Sequence, residues 1–204
     1  MNCLSPIRRY GVIYADPPWN FKNFSEKGTG RNAVAHYKCM DFAQLIAVQP
    51  QRWAASDCVL FLWATDPMLP KALELIDTWG FTYKTVGFYW AKTNKRADLE
   101  ALSQDDFFTG LGYWSRANVE QCLLATRGSP PRMAKDVKRL VIAPRREHSR
   151  KPDEVIGGSS ASPAAHTWSC LLVSRDEAGI AGEIRQNYST PERYVPAIVP
   201  LTWG

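Results

Sequence analysis

The stretch Tyr10–Trp19, YGVIYADPPW, decides the fold. Its first part, Gly11 to Ala15, is a short apolar run rich in β-forming residues, and Asp16-Pro17-Pro18 stops it abruptly. The pattern predicts a buried strand that ends in a rigid turn, because each proline fixes φ and lacks a backbone N–H. Functional groups are often located at such strand ends, so the Asp16 carboxylate is the first candidate.

The rest of the chain alternates strand and helix signals. Asp41 and Gln44 form a capping-box pattern that opens a helix, and Pro70 and Gly80 are placed to begin and end another. Strand patterns occupy residues 58–63, 81–90, 120–126 and 140–143, with long polar loops at 20–40 and 92–112. Together they predict an α/β fold, with a mainly parallel sheet flanked by helices.

Length and composition limit the class of protein. The chain has 204 residues and 45% hydrophobic content, which suits one domain with a single core. No apolar run is long enough for a membrane span and the start lacks a signal-peptide core, so we expect a cytoplasmic protein with no membrane partner. The five cysteines are scattered singly, which favours reduced thiols over a disulfide framework or a metal site. Oligomeric state is left open.

Positive charge is concentrated in residues 127–151. This segment has nine Lys and Arg against two acidic residues, within a chain whose net charge is +5, so the remainder sums to −2. A basic segment on a near-neutral body suits contact with a phosphate backbone and thus a nucleic-acid partner. On charge alone, a solvated basic face is an equally good interpretation.

The tetrapeptide Asp16-Pro17-Pro18-Trp19 suits the binding of an amine on an aromatic ring. The carboxylate and the Pro17 carbonyl can accept the two N–H bonds of such an amine and orient its lone pair. Trp19 can stack on a base that has left the duplex. For these four residues alone, the alternative is a Pro-Pro turn followed by a core tryptophan.

Seven segments, taken in order, form a highly specific set. They are YADPPWNF (14–21), HYKCM (36–40), LFLWAT (60–65), WGF (79–81), WAKTN (90–94), GLGYWSRANVEQCLLATRG (110–128) and REHSRKPDEV (146–155). The set resembles the β-class adenine-N6 methyltransferases of the DPPW type, which include bacterial and phage DNA enzymes and the catalytic subunit of the eukaryotic messenger-RNA adenosine methyltransferase. The resemblance implies a Rossmann-like fold, S-adenosylmethionine as methyl donor, no metal, and transfer to adenine N6 in nucleic acid, with DNA preferred over RNA.

Site residues are implied by the same resemblance, position by position. Asp16 and the Pro17 carbonyl would bind the target amine, with Pro18 completing the turn and Trp19 facing the base, and Asp16 would also lie beside the cofactor. Ser149 and Lys151 would contact the carboxylate of S-adenosylmethionine, although the segment SRKP (149–152) taken alone is more typical of an exposed basic turn. His36 and Tyr37 would contact the nucleic acid. The pattern of Tyr113, Trp114 and Arg116, which mixes aromatic rings and charge, suits the same surface, and a turn followed by core aromatics is the alternative.

The resemblance ends near Val155. We therefore predict a methyltransferase domain over residues 1–158 and an atypical C-terminal segment over 159–204, which either completes the sheet or is loosely ordered. The codons allowed by residues 168–173 and 179–184, read one nucleotide earlier, can encode the family's LELFAR and WD-x-WGN patterns. We hypothesise a frameshift near Val155 and Ile156; simple divergence of this region is the alternative. Lost cofactor contacts would weaken binding of S-adenosylmethionine.

Three other functions remain open. The first is a catalytically impaired, methyltransferase-like protein that binds nucleic acid, and the second is an RNA adenine methyltransferase. The third is an enzyme that methylates cytosine N4, against which the first Asp of DPPW argues through the resemblance alone. A nicotinamide-dependent Rossmann enzyme is disfavoured because no G-x-G-x-x-G follows a first strand.

Overall fold

The first strand, β1 (Tyr10–Asp16), lies inside an eight-stranded sheet. In this computed structural model, residues 9–20, 39–132, 135–146, 151, 152, 155, 169–175, 181–187 and 198–200 are described. The other strands are β2 (Ala54–Ala64), β3 (Thr82–Thr93), β4 (Val119–Arg127), β5 (Leu140–Pro144), β6 (Ser169–Arg175), β7 (Ala181–Asn187) and β8 (Ile198–Pro200). Their order in the sheet is β5-β3-β4-β2-β1-β6-β7-β8.

Two helices cover the part of the sheet near β2. Helix α1 (Phe42–Val48) starts at the predicted capping box, in which the Gln44 backbone N–H donates to the Asp41 carboxylate at 2.8 Å. Helix α2 (Leu69–Thr78) ends before Gly80, whose φ of +73° is a left-handed conformation that favours glycine. Both helix predictions are confirmed to within one residue at their starts. Within the described ranges, short 3-10 turns also lie at Pro50–Arg52, Asp66–Met68 and Gln104–Asp106.

The α/β fold is confirmed, but the sheet is mixed rather than mainly parallel. Strand β1 pairs in parallel with β2 and β6, and β3 pairs in parallel with β5. The other four pairings are antiparallel, because β4 inserts between β2 and β3 and because β6, β7 and β8 follow one another as a meander. The C-terminal segment therefore contributes strands beside β1.

Among the residues with described side chains, two hydrophobic clusters pack against the sheet. The larger packs α1 and α2 against it and includes Leu45, Leu60, Leu75 and Ile76, all essentially inaccessible to solvent. The smaller cluster consists of Tyr14, Trp63, Trp90, Cys122, Ala143 and Val155. Of the described helices, none has the length and apolarity needed to cross a membrane.

Candidate active site

Strand directions bring four charged groups to one edge of the sheet. Asp16 ends β1, and the end of β2 lies beside it because the two strands are parallel. Strand β4 runs the other way, so that its beginning, with Glu120, reaches this edge, whereas Lys92 lies near the end of β3. Lys151 follows β5, which ends at the same edge as β3. The carboxyl ends of parallel strands are the usual location of ligand sites in such sheets.

Lys151 connects the Asp16 carboxylate at the end of β1 with the Glu120 carboxylate of β4. Its ammonium donates to both carboxylate oxygens of Asp16, at 2.9 Å each, and lies 3.4 Å from Oε2 of Glu120. Only 9% of the Lys151 side chain is exposed, compared with 25% for Asp16. A charge-assisted pair that is largely removed from water is much stronger than a surface ion pair. Lys151 therefore fixes the orientation of the Asp16 carboxylate.

Glu120 carries the second negative charge of this network. Its Oε1 accepts from the Lys92 ammonium at 2.5 Å, and both side chains are largely buried. Burial alone would raise the pKa of Glu120, but the positive charges of Lys151 and Lys92 outweigh burial and lower the pKa to about 2. Glu120 is therefore ionised at neutral pH, and two lysines face two carboxylates.

The rings of Trp63 and Trp90 pack against the ammonium groups of the two lysines. The Lys151 ammonium lies 5.3 Å from the centroid of the Trp63 ring, and Lys92 lies 4.9 Å from that of Trp90. The Trp63 indole N–H donates to the Tyr14 hydroxyl at 2.6 Å, and that of Trp90 donates to the Ala143 carbonyl at 2.9 Å. Because these hydrogen bonds fix the rings, each ammonium rests on a rigid aromatic surface.

The turn after β1 is rigid, as predicted. The Trp19 backbone N–H donates to the Pro17 carbonyl at 2.9 Å, and the Met40 N–H donates to the Pro18 carbonyl at 2.9 Å. A carbonyl oxygen accepts two hydrogen bonds, and within the described part of the chain only the Trp19 N–H donates to that of Pro17, so a second acceptor position is left there for a ligand. Both prolines are buried. The turn thus holds Asp16 against a fixed backbone.

Trp19 differs from the expectation that it faces a base. Only 4% of the residue is exposed, it packs in the larger core cluster, and its indole N–H donates to the Trp63 carbonyl at 2.8 Å. A ring held in this way has no open face for stacking, so the alternative of a core tryptophan describes it better. Its role here is to tie the turn to the end of β2.

Tyr113, Trp114 and Arg116 lie together in a loop between β3 and β4. We call residues 107–118 the aromatic loop. Trp114 is 95% exposed and Tyr113 67% exposed, and their rings meet edge to face with centroids 6.4 Å apart. Arg116 is also exposed. The predicted nucleic-acid residues of this segment therefore share one surface, next to the strand ends that carry Lys92 and Glu120.

Three predicted site residues, His36, Tyr37 and Ser149, lie outside the described residues. Conversely, Lys92 and Glu120 belong to the network, but neither was predicted as a site residue from the sequence. The sequence did contain a signal for this pair. Antiparallel pairing places the end of one strand beside the start of the next, so charged residues at these two positions come to the same edge of the sheet. The sequence pattern, however, predicts a loop at Lys92 and only the start of a strand at Glu120.

The basic segment 127–151 is divided by the fold. Arg127 ends β4 at the opposite edge, where its guanidinium donates to the Gln51 carbonyl at 3.2 Å. Arg145 is exposed on the site's edge and lies 4.4 Å from the centroid of the Phe108 ring in the aromatic loop. Lys151 points inward to Asp16. Only part of the predicted basic surface therefore borders the site.

Polar atoms at this edge fit a ligand that carries both charge and hydrogen-bonding groups. Among the described residues, Oγ1 of Thr65, directly after β2, is buried and lacks a hydrogen-bond partner, and the buried Oε2 of Glu120 has only the ion-pair contact with Lys151 at 3.4 Å. Buried polar atoms in native proteins are nearly always satisfied, often by a ligand or water. An amino-acid moiety, with its ammonium and carboxylate, would match a site of two carboxylates and two lysines.

Comparison with known proteins gives consistent results. The MT-A70 family model matches residues 10–158. The chain is 32% identical over 170 residues to the Type II methyltransferase M.MunI of Mycoplasma sp, covering 75% of this chain and 67% of that protein. It is 29% identical to the N(6)-adenosine-methyltransferase MT-A70-like protein of Arabidopsis thaliana and 24% identical to the human N(6)-adenosine-methyltransferase catalytic subunit METTL3. Those matches cover 72% and 76% of this chain but only 19% and 24% of the two relatives.

Proposed function

Because the chain belongs to the MT-A70 family, as its sequence motifs predicted, we propose that it methylates the N6 amine of adenine in nucleic acid, with DNA as the preferred substrate. The observation that carries this proposal is the Asp16 carboxylate, which ends β1 and is held at 2.9 Å by Lys151. An oriented carboxylate beside a free carbonyl acceptor is what a weakly nucleophilic amine requires.

S-adenosylmethionine is the proposed methyl donor, and it supplies a sulfonium methyl group that is open to attack by an amine. Lys151 is the proposed partner of its carboxylate, together with Ser149. The ammonium of Lys151 already has three acceptor oxygens around it, from Asp16 and Glu120. A cofactor carboxylate would therefore share this cation with Asp16, which leaves an Asp16 oxygen available to other donors.

Asp16 and Pro17 orient the target amine in this proposal. The free acceptor position of the Pro17 carbonyl and one Asp16 oxygen would accept its two N–H bonds, which localises the nitrogen lone pair. No strong base is needed, because the proton is lost readily once the nitrogen is alkylated. His36, Tyr37, Tyr113, Trp114 and Arg116 are the proposed contacts to the nucleic acid.

DNA is preferred over RNA for two reasons. The chain matches the Type II methyltransferase M.MunI at higher identity, and over a larger share of that protein, than it matches the N(6)-adenosine-methyltransferases. Its motifs also resemble the bacterial and phage branch of the family. We propose RNA adenine as the alternative substrate, since relatives named for adenosine methylation match most of this chain.

A methylation assay tests the proposal. The purified chain is incubated with S-adenosylmethionine and either unmethylated DNA or an RNA transcript of the same sequence, and modified nucleosides are identified by mass spectrometry. We expect N6-methyladenine in DNA, at a rate that falls on the order of 10²-fold or more in Asp16→Asn. Asp77→Asn, an exposed carboxylate on α2, is the matched control and should retain full activity. N6-methyladenine in RNA alone would reverse the substrate preference, and N4-methylcytosine would refute the choice of base.

A second candidate function is a catalytically impaired protein that binds nucleic acid. The family match ends at residue 158, and strands β6, β7 and β8 come from the segment beyond it. This segment lacks the family's C-terminal patterns, and the loss of their cofactor contacts favours an impaired protein. Isothermal titration with S-adenosylmethionine separates the two candidates. Saturable binding supports the enzyme, whereas DNA binding without cofactor binding supports the impaired protein.

A further inference from the structure

The tip of the aromatic loop holds its most exposed aromatic side chain. Trp114 is 95% exposed and has a φ of +68°, a left-handed conformation that is rare for a bulky residue. Unfavourable backbone conformations of this kind persist where the surrounding structure imposes them, and they cluster at functional sites. The exposure and the conformation of Trp114 therefore call for a functional explanation.

The backbone of the loop imposes this conformation. Hydrogen bonds connect the two ends of the segment 110–117. The Gly110 N–H donates to the Ala117 carbonyl at 2.9 Å, and the Ala117 N–H donates to the Leu111 carbonyl at 3.2 Å. A Cβ at Gly112 would lie 2.0 Å from the Ser115 carbonyl oxygen, so only glycine fits this turn. Trp114 is thus presented on a tight, closed loop rather than on a long flexible one.

The loop is also close to the candidate active site and to positive charge. Trp114 precedes Glu120 by six residues, which limits their separation to roughly 20 Å. Within the loop, the Phe108 N–H donates to the Lys92 carbonyl at 2.8 Å, and the Arg145 guanidinium lies over the Phe108 ring. Arg116 and Arg145 are exposed cations suited to contact with phosphate groups of a nucleic acid.

We propose that Trp114 is a wedge that enters the base stack of a DNA duplex at the position left by the target adenine. This inference rests on the proposed function, because an adenine amine can reach Asp16 only after its base has left the duplex. Extrusion of a base removes stacking from its neighbours. An inserted aromatic ring replaces that stacking, as apolar wedges do in proteins that kink DNA.

A binding experiment tests the wedge without requiring the recognition sequence. Fluorescently labelled duplexes are prepared intact or with a single abasic site, which mimics the vacated stack. We expect the full chain to bind the abasic duplex at least about fivefold more tightly than the intact one, from the stacking of one aromatic ring. Trp114→Ala should lose this preference, and Trp114→Phe should keep most of it.

Tyr83→Ala is the matched control. Tyr83 is a partly exposed aromatic residue at the opposite end of β3 from the aromatic loop, so this variant should retain the wild-type preference. An unchanged preference in Trp114→Ala would overturn the proposal. So would a change from dimer to monomer in Trp114→Ala on gel filtration, because the exposed ring would then belong to an interface between copies of this chain.

Methylation of duplex and heat-denatured DNA separates failure of the wedge from failure of the proposed function. Trp114→Ala should lose at least about fivefold more activity on the duplex than on single strands, since only the duplex requires extrusion. Equal losses of methylation activity on both substrates would refute the wedge but would not contradict the proposed methyltransferase function. Absence of N6-methyladenine from every substrate would refute the proposed function, and the abasic-site preference would then decide the wedge on its own.

Discussion

The Lys151 ammonium lies 2.9 Å from each carboxylate oxygen of Asp16, although 135 positions separate the two residues in the sequence. The contact joins the end of the first strand to the segment that follows β5. It also connects Asp16 to Glu120, which Lys151 approaches at 3.4 Å. Asp16 therefore belongs to a charge network whose members come from four separate parts of the chain.

Replacement of Lys151 tests whether this network serves catalysis. Lys151→Met removes the cation that orients Asp16, so we expect methylation to fall on the order of 10²-fold and binding of S-adenosylmethionine to weaken at least about tenfold. Lys71→Met, which breaks the exposed pair with Glu74 on α2, should leave both unchanged. Titration calorimetry and a methylation assay provide the two measurements. Full activity in Lys151→Met would exclude a role for the lysine in cofactor binding.

The stability of the protein should decrease in acid because of Glu120. Its pKa of about 2 lies below the ordinary value of 4.5, so its ionised form stabilises the folded state above pH 4.5. That contribution, up to roughly 3 kcal/mol, is lost as the pH falls from about 4.5 to 2. Urea denaturation across this range should show the loss in the wild type and in Glu74→Gln but not in Glu120→Gln. An identical pH profile in Glu120→Gln would contradict the prediction.

Two lysines on the same protein should differ in their contribution to stability. Lys92→Met leaves the buried Glu120 with only one cation, and breaking a buried pair costs about 3–5 kcal/mol. Lys71→Met breaks an exposed pair whose side chains are about half accessible, and this should cost less than about 1 kcal/mol. Both values follow from chemical denaturation at pH 7. Equal losses would mean that the Lys92 pair is no stronger than a surface contact.

Rebuilding the C-terminal segment tests the frameshift hypothesis. A variant that encodes the offset frame from residue 156 regains the family-like patterns, and we expect it to bind S-adenosylmethionine at least about tenfold more tightly than the present chain. The same rebuilt chain with Asp16→Asn is the control for binding at the proposed site. Equal affinity of the rebuilt and present chains would favour simple divergence of the segment.

The sequence predicted the elements of the fold more completely than their arrangement. The capping box at Asp41 and the glycine at position 80 are local signals, and the helix boundaries agree with both. Strand direction is not local: nothing within residues 119–127 indicates that they run against β2 and β3, and the sheet is mixed for that reason. Motifs found Asp16 and Lys151 separately, but only the tertiary structure brings them into contact.

Trp19 shows the limit of motif-based prediction. The motif predicts a residue near the substrate, whereas the side chain is directed into the core by a hydrogen bond to Trp63, 44 positions away. Glu120 was missed because a charged residue in a strand pattern usually faces solvent, and Lys92 was missed because it was predicted to lie in the loop 92–112. Their burial depends on mutual neutralisation, which single-residue patterns do not reveal.

The long separation between Asp16 and Lys151 has a consequence for synthesis on the ribosome. At about 5–20 residues per second, the 135 residues added after Asp16, up to and including Lys151, require roughly 7–27 s. Strands β1, β2 and β4 are complete before Lys151 is made, so the nascent chain can pair its central strands while the Asp16 carboxylate still lacks its counterion. Pulse proteolysis of stalled chains that end before and after residue 151 would separate these two stages. We expect the nascent chain to pair strands β1 to β4 first and to gain its capacity to hold a ligand only when Lys151, the last of the four charges, emerges.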